Sequence, residues 1–349
     1  MGNLTIRDIA RLSGCGVATV SRVLNHLPGV SEQKRKRVLA VVEEQGFQPN
    51  NNAKHLKLQG GMGVAMVVKG TQNMLLGAIA ERMQTQLRDC GWEAAVYYLD
   101  EESDEVAYAL GLCRERKPLG ILFLGGEPSC FEKGFRDIQV PCVLVTNRAQ
   151  ELAFSNLSSV TTDDEAAAAQ VIGYLAQKGH RQIGLLGGNP AHSQVSARRV
   201  RGCRRAMEEL NLPFEEELQW ECCRYAVADA YEAAGRLLDR SPQLTALFAM
   251  SDVIALGALR ALADRGLEVP RDLSVVGYDG IPLAGYSIPR LTTVAQDVER
   301  LANQGVELLL EAMSHPERAA VHQVVPFHLV EGESVAPPKH HPRKEGDRA

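Results

Sequence analysis

Apolar residues recur along this chain at two different periods, and the change falls near residue 62. Before it, Thr5 is placed to cap a helix whose Ile6, Ile9, Ala10 and Leu12 share one face, with Asp8 completing a capping box. Ser13-Gly14-Cys15-Gly16 breaks that pattern, and a second helix is predicted from Val17 to Asn25 with Val17, Val20, Val23 and Leu24 inward. Two helices joined by a glycine-bearing turn have the form of a helix-turn-helix. A third helix runs from Ser31 through Val38, Leu39, Val41 and Val42 to Gln45, where Gly46 stops it. Pro49 forces the residue before it to extend, and Asn50-Asn51-Asn52 leads into Ala53-Lys54-His55-Leu56-Lys57. That last segment is too short for a stable helix alone and is expected to fold only against a partner.

From Met62 onward apolar runs alternate with amphipathic stretches. Residues 63–68, 92–99, 119–125 and 142–146 predict buried parallel strands, with helices near 75–90 and 104–116. A second series has strands at 183–188, around Trp220 to Tyr225, at 246–250 and at 273–279. Its helices fall near 164–178, 198–210, 227–240 and 252–265. The fold class is therefore an all-α helix-turn-helix headpiece on an α/β core of two lobes with parallel sheets, whose cleft lies at the carboxyl ends of the strands. The expected boundaries are 1–48 for the headpiece, 49–61 for a hinge helix and linker, and 62–335 for the core. Within the core the first lobe is expected to span about 62–160 plus 291–322 and the second about 161–290 plus 323–335, with 336–349 a disordered tail.

Charge sharpens this division. The chain carries a net −5, but residues 1–60 sum to +5, so the rest sums to −10. A small basic unit on an acidic body suits a module that meets phosphates joined to one that does not. The eight cysteines are scattered without C-x-x-C spacing, so reduced thiols are expected rather than disulfides or zinc ligands. There is no run of eighteen apolar residues and no secretory signal pattern, and a cytoplasmic protein without membrane contact is expected. No phosphate loop, H-E-x-x-H or G-x-S-x-G motif is visible, and neither a cofactor, a metal centre nor enzymatic activity is expected. Asp163-Asp164-Glu165 lies at a helix start, where acids are favoured.

The string TIRDIARLSGCGVATVSRVLN followed by PNNNAKHLK resembles the headpiece and hinge of the lactose-repressor (LacI/GalR) family. KGHRQIGLLGG, RVRGC, SDVIALGALRAL, VPRDLSVVGYD and PRLTTVAQD resemble its core landmarks in order, so the likeness covers about residues 3–335. The resemblance implies a fold like that of periplasmic sugar-binding proteins behind a DNA headpiece, a homodimer on double-stranded operator DNA, and a small, sugar-like effector in the cleft. The expected function is a transcriptional regulator, most simply a repressor; the rival is a soluble sugar-binding or sugar-transforming protein of the same fold. Inducer and corepressor stay open, as does assembly beyond the dimer.

On this pattern the first residues of the second helix face the major groove. Arg22 suits a fork on guanine O6 and N7, a contact worth ~1–3 kcal/mol of discrimination. Val17 and Ala18 suit thymine methyls, or else the headpiece core. Thr5, Thr19, Ser21 and Asn25 are placed for phosphates, and Lys34 to Arg37 form either a solvated face or further phosphate contacts. In the hinge, Asn52 and Ala53 lead to Leu56, which the family pattern wedges between base pairs from the minor groove. Gly16 stands where the family usually has Ser or Thr, a small loss for the cap. The matching effector positions are Leu75, Leu76, Asn147, Arg148, Arg199, Tyr225, Ser251, Asp279 and Gln296, with Arg198 an alternative to Arg199 and Asp252 read as a helix cap. A guanidinium and a carboxylate can jointly read vicinal hydroxyls.

Overall fold

A computed structural model describes residues 6–16, 19, 20, 23, 31–44, 63–71, 73–189 and 193–339. The chain divides into two compact units, Met1–Gly61 and Met62–Ala349.

In the first unit, helices α1 (Ile6–Ser13) and α2 (Glu32–Glu44) pack around Ile9, Ala10, Val20, Val23 and Val38, all buried. The carbonyl of Gly16 accepts from the N–H groups of Thr19 (2.9 Å) and Val20 (3.0 Å), so the intervening helix starts where the glycine turn predicts. Two expected core residues point outward. Leu12 is 50% exposed and Leu39 42% exposed. The helices are short and each offers one narrow stripe, so the neighbours Ser13 and Val38 take the inward positions. The Ser13 hydroxyl is satisfied by donating to the Ala10 carbonyl (3.3 Å).

The second unit holds two six-stranded sheets. Strands β1 (Val64–Lys69), β2 (Ala94–Leu99), β3 (Gly120–Leu124), β4 (Cys142–Val145) and β5 (Leu157–Thr162) build the first, joined by β11 (His322–Val325) in the order β11-β5-β4-β3-β1-β2. Every pairing in it is parallel. The second sheet runs β12-β10-β9-β8-β6-β7, from β6 (Ile183–Leu186), β7 (Trp220–Glu221), β8 (Ala246–Ala249), β9 (Ser274–Asp279), β10 (Thr292–Gln296) and β12 (Phe327–Val330), with β12 antiparallel to β10. Strands β1, β3, β4, β6 and β8 are predominantly apolar because helices cover both faces of the sheets.

In the first lobe those helices are α3 (Met74–Asp89), α4 (Glu105–Glu115), α5 (Pro128–Gly134) and, further along the chain, α11 (Val298–Ser314). The second lobe has α6 (Asp164–Gln177), α7 (Gln194–Glu209), the single turn α8 (Glu216–Gln219), α9 (Val227–Arg240) and α10 (Asp252–Asp264).

The chain crosses between lobes after Thr162, Gln296 and Val325. This corrects the expected lobe boundaries. Thr292–Gln296 belongs to the second sheet, where it pairs with β9, and His322–Val325 to the first, where it pairs with β5. The segment after 335 also begins ordered: the Ala336 carbonyl accepts from His180 Nε2 (2.9 Å) and from the Ser274 hydroxyl (3.1 Å), and Lys339 pairs with Asp272 at 2.6 Å. All eight cysteines are unpaired. Among the described residues no helix is long and apolar enough to cross a membrane.

Candidate functional site

Strand order reverses between β1 and β3 in one lobe and between β6 and β8 in the other, and such switch points open crevices at the carboxyl ends of strands. A cavity of about 680 Å³ lies there between the two lobes, lined by Gly70 and Gly125 from the first and Asn189 from the second. Two of its lining residues, Thr146 after β4 and Asp279 at the end of β9, hold positive φ (77° and 113°) despite carrying side chains. Strain of that kind persists where the surroundings over-determine the backbone, and two of the five such positions among the described residues lie at the cavity.

Arg199 forms the cavity floor. The sequence around it builds a tight helix pair: a methyl group on Gly202 would sit 2.1 Å from the Glu165 carbonyl, so only glycine lets α7 lie this close to α6. The Ser193 hydroxyl caps α7 by accepting from the Ser196 N–H (3.2 Å). One turn before Gly202, the Arg199 guanidinium is buried and held on every side. Its Nε donates to Asp164 Oδ1 (2.8 Å), Nη1 donates to the Met250 carbonyl, and the plane lies 3.6 Å from the Tyr278 ring centroid. Asp279 Oδ1 stands 3.8 Å from Nη2. Burial opposes the charge on Arg199, but Asp164 and the other acidic groups around it hold its pKa above the ordinary arginine value. Arg198 instead reaches Glu151 of the other lobe at 3.1 Å, so of the two arginines it is Arg199 that lines the cavity.

Asp279 accepts from Gln296 Nε2 (2.9 Å), and Gln296 Oε1 accepts from the Thr162 hydroxyl (2.8 Å), which fixes the amide's orientation. Burial lifts the Asp279 carboxyl to about 6 against the pull of Arg199. Asn147 lies buried beside Thr146, and the Tyr225 hydroxyl is 3.0 Å from Ser196 Oγ. Leu75 and Leu76 open α3, capped by Asn73, and give the cavity an apolar wall.

The structure thus brings Leu75, Leu76, Asn147, Arg199, Tyr225, Asp279 and Gln296 to one cavity. Arg148 and Ser251 do not line it. The Arg148 N–H donates to Gln194 Oε1 (3.0 Å), and Ser251 caps α10 by accepting from the Ile254 N–H (3.2 Å). Capping by Ser251 also displaces Asp252 from that expected role. Asp252 accepts from the Thr293 hydroxyl (2.6 Å) and the Ile281 N–H (2.8 Å), and burial raises its carboxyl to about 8.

Several lining residues escaped the sequence reading. Glu127 reaches across the cleft to accept from the Gln194 N–H (2.9 Å), and burial raises its pKa. Lys69 is paired with buried Glu105 at 2.8 Å, and Arg224 spans the mouth to Asp100 (3.0 Å) and Glu101. The readable signal was Gly125-Gly126-Glu127-Pro128, a loop leaving a parallel strand where ligand-facing groups gather. Asp104, Glu105 and Cys130 bring ligand-type atoms within 4.8 Å of one another. Asp104 is occupied capping α4 and Glu105 by Lys69, so neither offers a vacant carboxylate.

For the DNA-facing set, Thr19 lies half-buried on the helix after Gly16. Thr5, Val17, Ala18, Ser21, Arg22, Asn25, Asn52, Ala53 and Leu56 lie outside the described residues. On α2, Lys34, Lys36 and Arg37 are exposed, giving the headpiece a basic surface.

Residues 5–50 match the family model for bacterial regulatory proteins of the lacI family, and residues 172–335 that for a periplasmic binding protein-like domain. The transcriptional regulator MalR of Clostridium butyricum is 34% identical over 335 residues, covering 95% of this chain and 99% of that protein. The solved complex of the transcriptional regulator CelR with cellobiose is 27% identical with a TM-score of 0.71, over 95% of this chain and 99% of that one. The lac repressor dimer bound to operator and the anti-inducer ONPF, at 22% identity, shares the fold with a TM-score of 0.71 over 96% of this chain and 100% of that one. With a relative so alike over nearly its whole length and a headpiece that fits the family's own model, this chain belongs to the lacI family of bacterial regulatory proteins.

Proposed function

We propose that the protein is a sequence-specific DNA-binding transcriptional regulator, a repressor, whose operator affinity is set by a sugar or sugar derivative bound between the lobes of its core. It works as a homodimer on double-stranded DNA in the cytoplasm, and by binding rather than catalysis. One observation carries the reading: a lacI-type headpiece with a basic helix face shares a chain with a cavity floored by a pre-arranged polar set, Arg199, Asp279 and Gln296. Fixed donors and acceptors beside an apolar wall suit a ligand rich in hydroxyl groups, as in the CelR complex with cellobiose. Arg22 is assigned to a guanine, Thr19 with Thr5, Ser21 and Asn25 to phosphates, and Leu56 to the minor groove.

Linkage connects the two ends. An effector that prefers one arrangement of the lobes, when DNA prefers another, weakens DNA binding and is itself weakened by DNA. The test is gel retardation of a duplex selected from a random pool. Full-length protein should retard it, deletion of residues 1–61 should abolish retardation, and Arg22→Ala should weaken it by about five- to 150-fold, equivalent to ~1–3 kcal/mol. Retardation that survives the deletion overturns the assignment.

A further inference from the structure

Among the described residues, three of the four cations that line the cleft, all but Lys133, are already paired. Arg199 donates to Asp164 and the Met250 carbonyl, with Asp279 beyond, and offers a ligand no uncompensated charge. Lys69 is closed off by Glu105, with both side chains at 10% exposure or less. At the mouth, Arg224 is engaged by Asp100 and Glu101. Lys133, exposed on the rim, has no ion-pair partner among the described residues, and a solvated lysine contributes little. Acids are left over. Glu127, half-buried in the wall, meets backbone N–H groups but no paired cation among the described residues, and Glu102 stands exposed at the rim.

From this charge arrangement we infer that the cleft takes an uncharged saccharide and rejects its phosphorylated or carboxylated counterparts. The inference rests on the effector reading above and sharpens it. A phosphate entering the cleft sheds its water, finds each buried guanidinium or ammonium already neutralised, and approaches Glu127 and Asp279 with like charge. A hydroxyl meets no such barrier: it donates to the Glu127 or Asp279 carboxylate and accepts from Asn147 or Gln296. Like-charge placement of this kind excludes competitors rather than adding affinity for the correct ligand.

The cavity sets the size of the probes. At no more than ~30 Å³ per non-hydrogen atom, a liquid-water upper bound, a single hexose fills at most about half of it. The test is calorimetric titration of the full-length protein with cellobiose and maltose and with the 6′-phosphate of each. The expected result is that a neutral disaccharide binds and its phosphate binds at least thirty-fold more weakly. Glu127→Gln, checked for an unchanged melting temperature, should narrow that gap at least three-fold. A phosphorylated sugar that binds as tightly as its neutral parent, or a gap unmoved by Glu127→Gln, overturns the inference. If no saccharide of either kind binds, the sugar reading itself falls. The charge argument is then judged on guanosine against guanosine 5′-phosphate, where equal or tighter binding of the phosphate refutes it.

Discussion

The two units of this chain are held together on very different scales. The headpiece rests on a handful of aliphatic side chains, Ile9, Ala10, Val20, Val23 and Val38 among the described residues, whereas each lobe of the core closes around a buried sheet with helices on both faces. A domain of about sixty residues buries only about 60% of the surface its unfolded chain exposes, and its stability is correspondingly small. The two also differ in sign: residues 1–60 carry +5 and the remainder −10. A light basic unit can be ordered or loosened by DNA at little cost, while a heavy acidic unit keeps a ligand cavity in register. The difference marks where each kind of damage should appear.

Damage to the core should be the larger. Asp164→Ala leaves Arg199 buried with Asp279 only at 3.8 Å, and stranding a buried charge costs about 3–5 kcal/mol. Calorimetry should show the core transition falling while the headpiece transition stays in place. Ile9→Ala is the converse. It removes a fully buried side chain from the small cluster at a cost of about 2–5 kcal/mol, comparable to the whole stability expected of such a unit. The headpiece should unfold and operator binding vanish, with the melting of the core and its affinity for saccharide unmoved. Coincident shifts of both transitions in either variant would show that the units fold as one.

A smaller effect belongs to pH and the core alone. The Asp252 carboxyl keeps its proton in the fold up to about pH 8, against 3.8 for the free side chain. The folded state therefore binds the extra proton, so this contribution is present at low pH and is lost as pH rises through about 8. The melting temperature of the core between pH 6 and 9 should fall less steeply in Asp252→Asn than in the native protein. Equal slopes would remove Asp252 from the account.

The contrast between the units also explains what the sequence disclosed. Strong local signals were readable: the turn at Gly14 and Gly16, the helices 227–240 and 252–264, and apolar strands such as Ile183–Leu186. Strand β5, LSSVTT, was missed because its hydroxyls imitate a loop. In the fold they are satisfied internally, Thr161 donating to the Thr146 carbonyl (2.8 Å) and Ser158 accepting from the Val321 N–H (3.0 Å). Helix α11 and strands β10 to β12 went unassigned, and lobe membership was misplaced at Thr292–Gln296 and at residues 323–325. Which sheet a short strand joins is decided by long-range pairing that no local pattern carries.

At the cavity, residues inside recognisable motifs were legible, among them Arg199 before Gly202 and Asp279 at the end of its strand. Glu127, Lys69 and Arg224 were not, since a single charged residue in a loop or at a strand end looks the same whether it faces solvent or a partner inside the cleft. Arg148 and Ser251 sit next to lining residues, but their polar groups are turned to Gln194 and to a helix start.

The central claim is that cavity and headpiece share one free energy, and reciprocity tests it most directly. Fluorescence anisotropy should give the affinity for a selected operator duplex with and without the saccharide that binds the core. Calorimetry should give the saccharide affinity with and without the duplex. The account predicts that each ligand changes the other's affinity by the same factor, about five- to 150-fold for a typical coupling. Unchanged affinity of the operator at saturating saccharide would contradict it.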